Sequence, residues 1–354
     1  MMKKLFCLVM SAVMTLSLLT GCGSSGSAAA GSTPAGSAAG SAAASAIELK
    51  IATTGNEKHQ STIAAQAFAD KIAELSGGQI HATVYPNSQL GSEREAVEGV
   101  QMGSIEMTVV TSDGALPNFV PETQVLSIPY MFETKDEAYY ALDNFLQDEL
   151  APKFEAQGIK HLAFCELGFR CFTNNKKEIT KASDLNGLSI RVQEATIWFA
   201  LADSLGFIAT PIAFNELYTA LQQGTVDGQE NPITSIATSA FDEVQKYMCM
   251  DNHTYGAESI IMNLSIYNNM TSEQQAWVDE ASAYARDYQR STVSEMEEGY
   301  LQQIKDSGVI VCEDPDMQSF KDATADLYTR DDVKALVDPA LTEAVRDAVA
   351  ASHK

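Results

Sequence analysis

The chain is poor in the residues and motifs that carry covalent and metal chemistry. Its 354 residues include six cysteines and five histidines, without a C-x-x-C pair or an H-E-x-x-H motif. A glycine-rich phosphate loop and a convincing nucleophile elbow are also missing. Carboxylate pairs do occur, but a chain with 47 acidic residues brings some of them together by chance. The sequence therefore predicts a protein that is not an enzyme, with catalysis kept as an alternative.

Basic residues are scarce as well. Lys and Arg together number 23 against 47 Asp and Glu, which gives a formal net charge of -24 at pH 7. A surface this acidic repels the phosphate backbone of nucleic acids. We therefore expect no nucleic-acid partner, and the recognition of an anionic ligand would depend on local cations.

The apolar run at the N-terminus is too short for a membrane span. Its 15 residues, "LFCLVMSAVMTLSLL", follow the basic start "MMKK" and lead into "LLTGC". A run of this length is typical of a secretory signal. The small residues before Cys22 resemble the lipobox of bacterial lipoproteins, in which the cut precedes a cysteine that carries diacylglycerol. We predict a signal peptide over residues 1–21 and a membrane anchor on Cys22, with ordinary signal cleavage as the alternative.

Residues 22–46 contain no charged side chain and consist almost entirely of Gly, Ala and Ser. Such a segment cannot bury a core, so we predict a flexible tether.

Four cysteines follow this tether, at positions 165, 171, 249 and 312. They form no C-x-x-C pair, so the sequence predicts neither a metal nor another cofactor. We interpret the four as small buried apolar residues. A disulfide between Cys165 and Cys171 stays open, because an exported protein can form one.

Strand and helix patterns alternate from Ile47 onward. "IELKIATT", "QIHATVYP" and "SIEMTVVTS" have the period of strands, and the two segments between them have the period of helices. This order predicts an α/β lobe with a mostly parallel sheet. Ligands bind beyond the carboxyl ends of such strands. The loops at residues 53–54, 87–93 and 111–113 are therefore expected to surround any site.

A similar pattern resumes after residue 158 and ends in one long helix. Residues 272–307 contain no proline, begin with a capping box of Thr271 and Gln274, and end at Gly308. At about 1.5 Å per residue this helix is roughly 50 Å long, so we expect it to brace two lobes. A shorter helix, "NELYTALQQG", is predicted to have Asn215 as its N-cap.

Three segments resemble one family. They are "VYPNSQLGSEREAVEGVQMGSIEMT", "FRCFTNN" and "SDLNGLSIRVQEATIWFALADSLGFIATPIAFNELYTALQQGTVDGQENP". With the motifs I-R-V, P-I-A-F, A-L-Q-x-G and D-G-x-E-N in this order, the chain resembles the DctP-like solute receptors of TRAP transporters over about residues 48–320. The resemblance implies a bilobed α/β fold, similar to periplasmic binding proteins, with a ligand cleft and a helix spanning both lobes. We predict lobe I at 47–168 with 257–297 and lobe II at 169–256 with 298–354.

The resemblance also implies the site residues. Arg191 of the I-R-V strand would grip the ligand carboxylate, Arg170 would add a second contact, and Asn231 and Phe214 would complete the lobe II side. Physical chemistry agrees on arginine, whose rigid fork binds a carboxylate bidentately and stays charged when desolvated. The lobe I contacts are expected among five residues: Thr54, His59, Glu93, Arg94 and Thr111. Asp227 and Glu230 are expected to hold backbone or arginine in place.

The function implied by this resemblance is transport. The protein would capture a small organic acid outside the cytoplasm and, as a monomer, deliver it to a TRAP membrane permease. The alternative is a binding protein of an ABC-type or sensor system for an anionic solute. C4-dicarboxylates, sugar acids, keto acids and sialate all remain possible ligands. Thr111 disfavours sialate, since some sialate-binding relatives have an acidic residue there.

Overall fold

The computed structural model of the protein describes residues 46–353. The predicted signal peptide, the anchor at Cys22 and nearly all of the predicted tether lie outside these described residues. No helix between residues 46 and 353 is both long enough and apolar enough to cross a membrane.

The described chain is a mixed α/β structure with a continuous sheet. Its ten strands are Ile47–Ala52 (β1), Ile80–Tyr85 (β2), Met107–Thr111 (β3), Ile159–Asn174 (β4), Ser189–Val192 (β5), Ile208–Pro211 (β6), Gly228–Pro232 (β7), Tyr247–Cys249 (β8), Tyr255–Asn263 (β9) and Ile310–Cys312 (β10). Its twelve α-helices, within the same residues, are Gln60–Leu75 (α1), Glu93–Met102 (α2), Lys135–Ala141 (α3), Gln147–Ala156 (α4), Ile197–Leu205 (α5), Phe214–Gln223 (α6), Ile233–Thr238 (α7), Leu264–Asn269 (α8), Ser272–Asp306 (α9), Met317–Thr324 (α10), Asp331–Lys334 (α11) and Pro339–Ser352 (α12). A π-helical turn, Leu142–Leu146, joins α3 to α4, and short 3₁₀ turns occupy Leu116–Asn118, Pro121–Ser127, Ala182–Leu185, Phe241–Glu243 and Leu327–Thr329.

The first half of the sheet follows the alternation in the sequence. β1 pairs in parallel with both β2 and β3, and β9 joins β3 in antiparallel direction. The helix α2 begins at a capping box of Ser92 and Glu95, and Gly103 ends it in the left-handed conformation. The predicted β-α-β-α-β order is therefore confirmed, and it brings the carboxyl ends of β1 and β3 to one edge.

The second half of the sheet contains β5 between its parallel neighbours β6 and β7. β7 pairs antiparallel with β4, and β8 pairs with both β4 and β10. The polar stretch Gly228–Pro232 is thus a buried strand and not a solvated turn. The prediction of Asn215 as an N-cap is wrong: α6 begins one residue before it, and its N-cap, Ala213, has no side chain that could bond the helix.

One strand, β4, connects the two halves. It pairs with β9 as far as Phe169 and with β7 from Arg170 onward. A bulge precedes this change, and Gly168 adopts a φ of 118° there. A side chain would be strained in this conformation and would also crowd Pro232. The change of partner lies beside the predicted lobe boundary after residue 168. The C-terminal helices contact both sides of it, because α12 packs on α3 while α10 packs on α5.

The long helix α9 runs over 35 residues and starts at the predicted capping box of Thr271 and Gln274. It contacts α1 on the lobe I side, α7 on the lobe II side, and β4 between them. The side chain of Gln289 bonds both backbone groups of Glu166: it donates to the carbonyl at 2.6 Å and accepts from the N–H at 3.0 Å. The helix therefore braces both lobes, as its length predicted.

The four cysteines of the described chain are free, and three of them are buried. The alternative of a Cys165–Cys171 disulfide does not hold in this structure. Burial raises the pKa of Cys165 to about 12, so this thiol is not ionised at neutral pH. The interpretation of these residues as small buried apolar groups fits Cys165, Cys171 and Cys249, whereas Cys312 is partly exposed.

Candidate functional site

A narrow cavity lies where the two halves of the sheet face each other. It contains ≈ 270 Å³ of space free of atoms, with room for about one ordered water molecule. Ten residues line it: Thr54, His59, Glu93, Thr111, Leu167, Arg191, Gln193, Phe214, Asn231 and Ser235. Nine of them lie at the carboxyl ends of β1, β3, β5 and β7 or at the N-terminal ends of α1, α2, α6 and α7, as expected for a site beyond the carboxyl ends of strands, and Leu167 lies on β4.

Arg191 is the cation in this cavity wall. Its side chain is only 3% exposed, and its Nε–H donates to the carbonyl of Ile212 at 2.8 Å. The terminal nitrogen Nη1 is buried without a hydrogen-bond partner among the described residues. Burial, helped by the neighbouring Arg170, lowers the pKa of Arg191 to about 10, so the guanidinium stays charged at pH 7. A buried cationic donor of this kind requires an anionic acceptor.

Glu93 supplies a carboxylate on the lobe I side. Thr111 holds it with two bonds: its N–H donates to Oε1 at 3.1 Å and its hydroxyl donates to Oε2 at 2.8 Å. Burial raises the pKa of Glu93, while the Thr111 bonds and the charge of Arg191 oppose that rise. Gly114 permits this packing, because a Cβ there would lie 2.1 Å from the Thr111 hydroxyl.

His59 adds a neutral donor. It is the N-cap of α1, and its Nδ1 accepts from the N–H of Ser61 at 3.3 Å. The proton must therefore sit on Nε2, which is buried and has no partner among the described residues. Burial lowers the pKa of His59 to about 4, so the ring is uncharged at neutral pH. Phe214 packs edge-on against this ring at 5.4 Å between centroids.

Asn231 is oriented by two neighbours. Nη2 of Arg170 donates to its Oδ1 at 3.2 Å, and its own Nδ2 donates to Gln229 Oε1 at 2.6 Å. An amide nitrogen carries two protons, so one N–H of Asn231 remains for the cavity. Arg170 itself does not line the cavity. It is fully buried and ion-paired with Glu230, to which it donates from both Nε and Nη2.

The structure brings most of the predicted site residues together. Seven of the nine line the cavity, and Arg170 reaches it through Asn231. Arg94 does not: its side chain is 53% exposed and pairs with Glu98 on the outside of α2. It follows Glu93 directly, and one residue along a helix turns a side chain by about 100°. The expected supporting roles hold, since Glu230 binds Arg170 and Asp227 accepts from the N–H of Ser189 at 2.9 Å.

Three lining residues were not predicted from the sequence. Gln193 follows Arg191 by two positions, and residues two apart on a strand point to the same face, so this signal was present. Its Nε2 is buried and has no partner within residues 46–353. Ser235 and Leu167 gave no such signal, because the packing of α7 and the bulge of β4 bring them to the cavity.

The arrangement is suited to binding a small polar anion. The cavity offers donors on Arg191, His59, Asn231 and Gln193, with one carboxylate on Glu93. The described residues contain no group of three or more His, Cys, Asp or Glu side chains that could hold a metal ion.

Comparisons with known proteins agree with this geometry. The profile of the family described as "Bacterial extracellular solute-binding protein, family 7", DctP, matches residues 51–332. A solute-binding protein of Verminephrobacter eiseniae is 37% identical over 274 residues, which cover 77% of this chain and 81% of that protein. The C4-dicarboxylate-binding periplasmic protein DctP of Rhodobacter capsulatus is 34% identical over 248 residues, or 69% of this chain and 73% of its own.

A solved structure extends the match to the fold. The TRAP periplasmic solute-binding protein from Polaromonas sp. JS666, bound to D-erythronate, is similar with a TM-score of 0.81 at 34% identity. The similarity covers 85% of this chain and 98% of that one. The family match spans most of the chain, and the same bilobed fold encloses the cavity described above. The chain therefore belongs to the DctP family of bacterial extracellular solute-binding proteins and is a solute receptor of a TRAP transporter.

Proposed function

We propose that this receptor binds a small hydroxylated carboxylic acid, with the ligand carboxylate on Arg191, and delivers it to a TRAP membrane permease. One observation carries the proposal: Arg191 is buried in the cavity wall, and its one hydrogen bond to the described residues uses Nε. The two terminal nitrogens, Nη1 and Nη2, are therefore available to donate two parallel hydrogen bonds to a carboxylate.

The remaining groups favour hydroxyls on the rest of the ligand. A hydroxyl can donate to the Glu93 carboxylate and accept from His59 Nε2, Gln193 or Asn231. A second ligand carboxylate beside Glu93 would meet a like charge, which is costly in a buried site. Hydroxylated monocarboxylates such as the D-erythronate bound by the Polaromonas relative therefore fit better than the C4-dicarboxylates bound by the Rhodobacter relative.

Binding would proceed by opening and closing of the predicted lobes. Among the hydrogen bonds that join them, Asn56 donates to the Thr238 carbonyl at 2.6 Å, and Gln60 donates to the hydroxyl of Ser235, in the cavity wall, at 2.6 Å. An organic acid needs more space than this cavity offers, so entry would require these contacts to separate. Closure would then exclude water and strengthen the contacts to Arg191.

The family is extracytoplasmic, and we propose that lipidated Cys22 anchors this member to the cell membrane as a monomer without catalytic activity. The motif "LLTGC" and the uncharged tether support the anchor. Cys22→Ser should be exported but released from washed cells, because a tether without acyl chains inserts nothing into a bilayer. Equal retention of the variant and the native protein would refute the anchor.

A thermal-shift screen tests the ligand class. The panel contains D-erythronate, galactonate, glucuronate, succinate, malate and pyruvate. A ligand that binds only the folded state raises Tm by mass action. We expect a hydroxylated monocarboxylate to raise Tm most and succinate to raise it least, with the same order in the control variant Arg94→Ala. A largest shift with succinate would contradict the proposed class, and no shift with any acid would contradict the proposed function.

A further inference from the structure

Two of the four free cysteines of the described chain are neighbours in the sheet. The strands β8 and β10 run parallel, and their register places Cys249 opposite Cys312. The preceding pair in this register, Met248 and Val311, packs into one apolar cluster on one face of the sheet. Successive residues of a strand point to opposite faces, so both cysteines point to the other face, side by side.

The spacing of the two strands suits a disulfide. Neighbouring strands lie about 4.7–4.9 Å apart, and the Cα atoms of bonded cysteines are usually about 4.4–6.8 Å apart. The side chains also point in the same direction, which a disulfide requires. Cys165 and Cys171 do not meet this condition, because they lie six positions apart on β4, a distance of roughly 20 Å along a strand. Their register partners on neighbouring strands are Glu258 and Asn231.

The two thiols differ in accessibility. Cys249 is buried, while Cys312 is partly exposed and can meet a reagent from solvent. Burial raises the pKa of Cys312, and the charges of Glu178 and Asp314 raise it further, so little thiolate is present at pH 7 and the reaction is slow. The family is extracytoplasmic, and disulfides persist outside the cytoplasm.

We propose that Cys249 and Cys312 are a redox-sensitive pair, which a small external disulfide converts into a disulfide that fixes β10 to β8. The thiolate of Cys312 attacks one sulfur of the external disulfide and releases one thiol. The thiolate of Cys249 then attacks the sulfur of Cys312 in this mixed disulfide and releases the second thiol. The two cysteines lose two electrons and two protons, and the external disulfide becomes two thiols.

The link would stabilise the connection between α9 and the sheet. β10 begins shortly after the end of α9, and the bond between Cys249 and Cys312 would close a loop that contains β9, α8 and α9. Closing a loop of this length restricts the unfolded chain and so favours the folded state. Neither cysteine lines the cavity around Arg191, so this inference does not depend on the proposed function.

The test uses the exported Cys22→Ser protein, so that the tether contributes no thiol. The protein is incubated with cystamine, a cationic disulfide that suits the acidic surroundings of Cys312. Free thiols are then alkylated in denaturant, and peptides are mapped without reduction. We expect one linked peptide pair that joins Cys249 to Cys312, with Cys165 and Cys171 alkylated.

Oxidation should also raise Tm by roughly 4–8 °C, and dithiothreitol should reverse both changes. Cys312→Ser should show neither the linked peptides nor the rise in Tm. Cys165→Ala, the matched control for the loss of another cysteine, should show both. Absence of the linked peptides, whether Cys312 stays free or retains half of the cystamine, overturns the proposed pair. A Cys249–Cys312 link that leaves Tm unchanged overturns its stabilising role.

Discussion

At the scale of single residues, three polar side chains of the cavity are each held by a neighbour that leaves hydrogen-bonding capacity for a ligand. Ile212 fixes Nε of Arg191, Ser61 fixes Nδ1 of His59, and Thr111 fixes Glu93. Side chains ordered before binding lose less conformational entropy when the ligand arrives. The proposed ligand, with one carboxylate and several hydroxyls, would therefore meet side chains that are already in place.

Replacing Glu93 tests the selection of hydroxylated acids. Glu93→Gln removes the negative charge but keeps the size of the side chain. Affinity for D-erythronate should fall by about tenfold, as a charged acceptor becomes a neutral one, and affinity for succinate should rise. Calorimetry with both acids measures the ratio, and Glu98→Gln on the exposed face of the same helix is the control. An unchanged ratio in Glu93→Gln would show that Glu93 does not select the ligand.

Much of the site could be predicted from the sequence, but only where a motif or a strand period placed a residue. Arg191 and Asn231 were predicted from motifs. Gln193 could have been predicted as well, because it lies on the same strand face as Arg191. Arg94 was misplaced because adjacent residues of a helix point in different directions, and a motif does not say which one faces inward. The position of Ser235 in the cavity wall depends on packing between residues that are far apart in the sequence, and such packing leaves no local sequence pattern.

At the scale of elements, α9 and β4 connect the two lobes. Gln289 of α9 satisfies both backbone groups of Glu166 beside the β4 bulge, where ordinary strand pairing is interrupted. The period of apolar residues and the capping box were enough to predict α9. β7 was harder, because a strand of polar residues is recognisable only once its partners are known: Gln229 bonds Thr173, and Glu230 bonds Arg170.

Gln289→Ala should destabilise the protein strongly. It leaves a buried N–H and a buried carbonyl of Glu166 without a partner, at about 1–3 kcal/mol for each group. Urea denaturation should therefore show a loss of roughly 2–6 kcal/mol in the free energy of unfolding. Gln302→Ala, an exposed glutamine on the same helix, is the control and should change little. Equal stabilities of the two variants would contradict the bracing role of Gln289.

At the scale of the whole molecule, an acidic protein must hold an anion. The net charge of -24 works against a carboxylate ligand, and two buried arginines create a local exception. Closure of the two lobes around these arginines is the motion that the family fold allows. Movement of the predicted lobes is a property of the entire chain and is measured on the whole molecule.

Saturating ligand should reduce the radius of gyration by a small amount, on the order of 1 Å, while the circular dichroism spectrum stays the same. Small-angle scattering of the native protein with and without the tightest panel acid measures this change. Succinate at the same concentration serves as the weak-binding control. Superimposable curves with and without the bound acid would rule out closure.

The most direct test of the central claim is a calorimetric titration of the native protein and Arg191→Ala with the panel acid that raises Tm most. Removing Arg191 leaves the ligand carboxylate desolvated without its partner, a loss of about 3–5 kcal/mol. Binding should therefore weaken by roughly a hundredfold to several thousandfold, with partial recovery in Arg191→Lys, which lacks the fork. Arg94→Ala should bind like the native protein. If Arg191→Ala keeps the native Tm and binds within about threefold of the native affinity, a difference below about 0.7 kcal/mol, Arg191 does not hold the carboxylate and the account is wrong.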